Sequence, residues 1–188
     1  MIKKLLPIAC IAAVLGGCST TSPTRMSTEM FNTDGDSLGT ITMSEQPEGV
    51  KFVVMLEGLP AGEYGLHVHE KPLCEAPDFK TAGEHYNPDK KDHGLLNPKG
   101  AHLGDLQNLV ADDKGMIQAE IFGPKMTLKK GSKNTLLFKG GTSLIINEKK
   151  DDGMTQPAGN SGPRIACGVI TEKEAQRQDK REVEMKKE

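Results

Sequence analysis

At 188 residues the chain is long enough for one domain with a substantial core. With 4% aromatic residues and no Trp, that core must rest on Val, Ile, Leu, Met and a few Phe. The formal net charge of −2 carries no basic bias, which excludes a cationic nucleic-acid-binding surface. The four cysteines divide by context: Cys10 and Cys18 fall in an apolar leader, Cys74 and Cys167 in the body of the chain.

Residues 1–17 read as an export signal. Lys3 and Lys4 form a positive n-region, and the apolar run from Leu5 to Leu15 is too short to span a bilayer as a mature helix. The run ends in LGGCS, which resembles the lipobox of bacterial lipoproteins. That resemblance implies a diacylglycerol thioether on Cys18, with Cys10 removed along with the signal. The expected location is therefore outside the cytoplasm, lipid-anchored to the cell membrane, in a periplasm or on the outer face of the cytoplasmic membrane. Residues 18–28, rich in Ser, Thr and Pro, then form a flexible tether.

From residue 29 to residue 171 short strand patterns alternate with turn signals. Strands are predicted at 29–31, 39–44, 50–59, 64–70, 106–111, 116–122, 142–148 and 164–170. They are separated by NTDGDS, QPEG, PAGE and DDKG, among other turns. Eight short strands and no internal helix predict an all-β antiparallel barrel or sandwich. Residues 172–188 are almost wholly charged and read as a solvated tail, either an exposed helix with i,i+4 ion pairs or a disordered segment.

All five histidines lie between Tyr64 and Asp105. His67 and His69 are two apart, so on a strand both rings project from one face. His85, His93, His102 and Asp105 follow in a Gly-, Pro- and Asn-rich segment that reads as a long loop. Three imidazoles and a carboxylate complete a tetrahedral zinc set. The His67/His69 pair offers a second site, and imidazole also suits copper.

Five segments, GLHVHE, AGEHYNP, HGLLNP, AHLGDLQN and GNSGPRIACGVI, occur in an order and at separations that resemble the secreted bacterial copper/zinc superoxide dismutases. The resemblance runs from about Met30 to Ile170. It implies a Greek-key β-barrel with two long functional loops, and conversion of superoxide to oxygen and hydrogen peroxide. It implies zinc on His85, His93, His102 and Asp105, and copper on His67, His69 and His85, with His85 as the bridging ligand. Asp151 would link His67 to His93, Arg164 would draw in the superoxide anion, and Cys74 and Cys167 would form a disulfide. The fourth copper position, a histidine in the family, is Asn147 here. That departure leaves a second expectation open: a metal-binding lipoprotein of the same fold, holding zinc alone or carrying copper, with little or no activity. Lys149 and Lys150 are candidates to add to the field of Arg164, and Met154 is a candidate soft donor.

Overall fold

The computed structural model describes residues 22–185. The leader with Cys10, and Cys18, the residue expected to carry a lipid, lie outside the described residues. Among the described residues no helix is long and apolar enough to cross a membrane.

Strands form where apolar side chains alternate with polar ones: β1 (Arg25–Asn32), β2 (Ser37–Gln46), β3 (Gly49–Leu56), β4 (Gly62–His69), β5 (Leu109–Ala111), β6 (Ile117–Pro124), β7 (Thr142–Asn147) and β8 (Arg164–Ile170). All pairings between them are antiparallel, in the order β5-β4-β7-β8-β1-β2-β3-β6. The end strands β5 and β6 meet without a hydrogen-bonded ladder, so the sheet rolls into a nearly closed barrel. The connections from β3 to β4 and from β6 to β7 cross between non-adjacent strands, which is the expected Greek-key pattern.

The interior is aliphatic and methionine-rich. Met26, Met30, Ile41, Met43, Phe52, Val54, Leu144 and Ile146 are buried in one continuous cluster. Each contributes about 1.5–3 kcal/mol by leaving water.

Two ends of the chain differ from the sequence-based expectation. β1 begins at Arg25, inside the stretch assigned to the tether, because Met26, Thr28 and Met30 alternate into the barrel among polar neighbours. Even Ser22 is engaged, its hydroxyl accepting the Lys130 N–H at 3.1 Å. At the other end, Glu172–Met185 is a helix, α1, and one stripe of it is not solvated. Glu174, Ala175 and Gln178 are buried, α1 lies on β1, and Arg181 donates to Glu29 at 2.6 Å. Thr171 caps the helix by accepting the Glu174 N–H at 3.1 Å.

Strand β4 positions the site. Its even residues Leu66 and Val68 enter the barrel core. Its odd residues His67 and His69 face outward, yet they are only 0% and 1% exposed, covered by the two long loops 70–108 and 148–163.

Candidate metal centre

The loop histidines are set in place by backbone pairing. β5 accompanies β4 only over Gly62–Tyr64, which leaves the rest of that edge free. Loop 70–108 returns to fill it. Tyr86 N–H donates to Val68 O (2.8 Å), Val68 N–H to Gly104 O (2.9 Å), and Leu106 N–H to Leu66 O (3.3 Å). These bonds place His85 opposite His69 and Asp105 opposite His67. Residues far apart in sequence therefore converge on one side of β4.

His85, His93, His102 and Asp105 form one cluster. Asp105 Oδ1 lies 2.8 Å from His85 Nδ1, 3.1 Å from His93 Nδ1 and 3.3 Å from His102 Nδ1. His85 Nδ1 and His102 Nδ1 are 3.4 Å apart. The edges of a tetrahedron with zinc–nitrogen bonds of about 2.05 Å are roughly 3.3 Å, so the four atoms are spaced as zinc ligands. The other oxygen, Asp105 Oδ2, is held by the backbone N–H groups of Gly94 (2.9 Å) and His102 (3.0 Å), leaving Oδ1 to ligate.

The second cluster is His67, His69 and His85, all buried. His69 Nδ1–H donates to the carbonyl of Gly83 at 2.9 Å, which fixes the tautomer and turns a bare Nε2 inward. The rings of His67 and His85 stack with centroids 4.1 Å apart. His85 belongs to both clusters, and its Nδ1 is the atom beside Asp105.

Both clusters contain a buried nitrogen with no hydrogen-bond partner, His69 Nε2 and His93 Nδ1. Each points where a metal would bind, so the donor set fits zinc in the first cluster and an imidazole-seeking ion such as copper in the second. Electrostatics agree for His69 and His85. Burial, with His85 and Arg164 nearby, pushes His69 down to about 2, and burial pushes His85 down to about 4, which keeps both rings neutral as ligands must be. Burial alone would lower His93, but Asp105 and Asp151 outweigh it and raise this group to about 9. Burial would likewise raise Asp105, yet the close imidazoles of His102, His85 and His93 hold it well below the usual carboxylate range.

Asp151 stands between the clusters. Its carboxylate is 2.7 Å from His67 Nε2 and 3.1 Å from His93 Nε2. Asn108, which sequence reasoning missed, holds Asp151 by its backbone: Asn108 Nδ2 donates to Asp151 O and Asp151 N–H to Asn108 Oδ1, both at 2.9 Å. Gln156, also missed, does the same for His93, accepting its N–H and donating to its carbonyl at 2.9 Å each. Gln156 carries no signal in sequence beyond being an amide in a loop, and Asn108, which ends the segment AHLGDLQN, falls within the strand predicted at 106–111. Gly159 closes the space, with φ +64°, and any Cβ there would overlap the Asp151 carboxylate.

Asn147, the last residue of β7, is buried beside His67, with Oδ1 3.0 Å from His67 Nδ1 and Nδ2 donating to Gly162 O at 3.0 Å. Arg164 opens β8 and is half-buried. Its guanidinium donates to Phe79 O (2.9 Å) and Gly83 O (2.8 Å). Of the two candidate lysines, Lys150 is tied to Glu63 at 2.9 Å, which offsets its charge, and Lys149 is exposed. Met154 is 49% exposed on its loop. Cys74 and Cys167 form a disulfide with a Cα–Cα distance of 5.6 Å, and it packs with Phe79, Ala82 and Ile145.

Two adjoining sets of metal donors sharing one imidazole, laid on the outer face of a Greek-key barrel, define a two-metal centre of β-barrel type. The family model described as copper/zinc superoxide dismutase (SODC) matches residues 37–170, and the chain belongs to that family. It is 43% identical over 169 residues to "Superoxide dismutase [Cu-Zn] 2" of Aquifex aeolicus, covering 89% of this chain and 99% of the relative. It is 40% identical over 144 residues to "Superoxide dismutase-like protein YojM" of Bacillus subtilis, covering 76% and 74%. Among solved structures, a SOD-like protein from Bacillus subtilis superposes with a TM-score of 0.75 at 39% identity, over 77% of this chain and 97% of that one. The copper/zinc superoxide dismutase from Brucella abortus gives 0.65 at 32%, over 78% and 99%.

Proposed function

We propose that this protein is a superoxide dismutase of the cell envelope, turning two superoxide anions and two protons into one oxygen and one hydrogen peroxide. The observation that carries this reading is His85, which offers Nδ1 to the His93/His102/Asp105 set and stands with His67 and His69 in the other. In this reading His67, His69 and His85 hold copper, and His85, His93, His102 and Asp105 hold zinc. Copper, when bound, supplies the one-electron couple, and zinc fixes the loop.

The remaining work falls to the chain. Arg164, held by two carbonyls, presents a permanent positive charge that draws superoxide toward the buried imidazoles. His85 Nε2 is the atom at which a proton is held and returned, while Nδ1 stays in the zinc set. Asp151 orients His67 and His93 together, so the two sets move as one. The envelope location rests on the LGGC sequence at Cys18, whose lipid would tether the barrel to a membrane.

A second reading is favoured by Asn147, which stands where a fourth copper-ligating histidine is expected. With one imidazole fewer, the protein would bind metal as a relative of the SOD-like proteins and turn over slowly. Metal analysis and dismutase assay of purified protein loaded with zinc and copper separate the two. One copper and one zinc per chain with copper-dependent activity supports the enzyme. Zinc alone without activity, or bound copper without turnover, supports the binding protein.

A further inference from the structure

With His67 neutral, as a metal ligand must be, the contact between Asn147 and His67 does not balance as a hydrogen bond. His67 Nε2 faces the Asp151 carboxylate at 2.7 Å, so the ring proton sits there and Nδ1 carries a lone pair. Asn147 Oδ1, also an acceptor, faces that lone pair at 3.0 Å. Turning the amide over offers no relief. Asn147 Nδ2 now donates to Gly162 O at 3.0 Å, and after a flip two carbonyl oxygens would meet there. Both groups are buried, Asn147 at 5% exposure and His67 at 0%, so water does not separate them. Two acceptors held face to face call for a shared cation, either a proton on Nδ1 or a metal ion beside both atoms. His69 Nε2, bare and buried, converges on the same place.

We propose that Asn147 Oδ1 is itself a ligand of the metal held by His67, His69 and His85, and that this three-imidazole, one-amide-oxygen set selects Cu(II) over Cu(I). The proposal rests on the copper reading given above and deepens it. An amide oxygen is a hard, neutral donor that suits a divalent ion, whereas Cu(I) prefers nitrogen and sulfur. Gly162 makes the oxygen a fixed donor: its carbonyl holds the NH2 end, so Oδ1 needs no reorganisation to bind. The 3.0 Å approach of Oδ1 to His67 Nδ1 separates Asn147 from a residue that merely fills the volume of a lost imidazole.

The test uses zinc-loaded protein titrated with Cu(II) and, anaerobically, with Cu(I), each against a competing chelator, together with Cu(II) electron paramagnetic resonance. Zinc content reports that each variant is folded. Asn147→Ala is expected to weaken Cu(II) binding about tenfold or more while changing Cu(I) binding little. Asn147→Asp, which keeps an oxygen at the same position, is expected to restore Cu(II) binding. Asn147→His is expected to raise Cu(I) affinity and to lower g∥, as nitrogen replaces oxygen in the copper plane. Equal Cu(II) affinity and an identical spectrum in wild type and Asn147→Ala overturn the proposal while leaving the copper reading intact. Zinc-loaded wild type that binds no copper at all overturns the copper reading, and the ligand assignment with it.

Discussion

His69 and Arg164 share one acceptor: the carbonyl oxygen of Gly83 takes the Nδ1–H of His69 at 2.9 Å and a guanidinium N–H of Arg164 at 2.8 Å. The group proposed to draw an anion inward and a ring that would hold the metal are thus located by the same atom. Arg164→Ala should cut kcat/KM for superoxide at least about tenfold and flatten its dependence on ionic strength. Arg164→Lys should fall between, since it keeps the charge and loses the two-carbonyl anchorage. Dismutase rates at low and high salt check this, and a salt dependence unchanged in Arg164→Ala would contradict it.

Asp151 joins His67 to His93 through one carboxylate. Asp151→Ala should weaken metal binding at both sets together, by about 10–100-fold. The measurement is paired competition titration with zinc and copper. Weakening confined to one metal would show that the link does not couple the sets.

The disulfide closes the segment between Cys74 and Cys167, 93 positions apart. In the chain-entropy model this contributes on the order of 4 kcal/mol. Denaturant unfolding of metal-free Cys74→Ser/Cys167→Ser should show a loss of that order. The same variant should lose part of the Arg164 effect, because Phe79, whose carbonyl anchors the guanidinium, packs beside the bridge.

The metal-free protein should be most stable near pH 6.5. His93 is raised in the fold to about 9 from an ordinary 6.5, so its contribution is complete below 6.5 and fades as pH rises toward 9. His85 and His69 are depressed to about 4 and about 2, so acid protonates the unfolded chain first and stability falls below 6.5. Asp105, depressed by its three imidazole partners, adds a further loss as pH falls through the carboxylate range. Thermal melts between about pH 5 and pH 9 follow this. Added zinc should abolish the alkaline decline, since the metal takes the place of the His93 proton.

Helix α1 covers β1 and is capped by Thr171. Ending the chain at Thr171 should cost about 1–3 kcal/mol, through lost burial of Ala175 and the lost contact of Arg181 with Glu29. Zinc stoichiometry should not change, because no residue of α1 belongs to either donor set.

The strands and the donor residues were legible because their signals are local. Alternation marks β2, β3 and β6, and a two-residue step marks the His67/His69 pair. The pairing of Cys74 with Cys167 and the placement of Asp151 followed from motif resemblance. What stayed hidden is carried by backbone or by faint patterns. Gly83 and Phe79 act through carbonyls, which no side-chain pattern reports. The start of β1 hides among Arg, Ser and Thr. The buried stripe of α1 is Glu174, Ala175 and Gln178, so hydropathy does not reveal it, although Thr171 followed by Glu174 is a capping-box spacing that points to a helix start. The aim of the Asn147 oxygen at His67 depends on the Gly162 carbonyl, fifteen positions on.

Strand β4 presents Leu66 and Val68 to the barrel interior and His67 and His69 to the loops. Slipping its pairing by one residue would exchange these faces, sending two imidazoles into an aliphatic interior and breaking the His67/His69/His85 set. A metal bound by this set would therefore favour the correct register, because only that register of β4 brings His67 and His69 to His85.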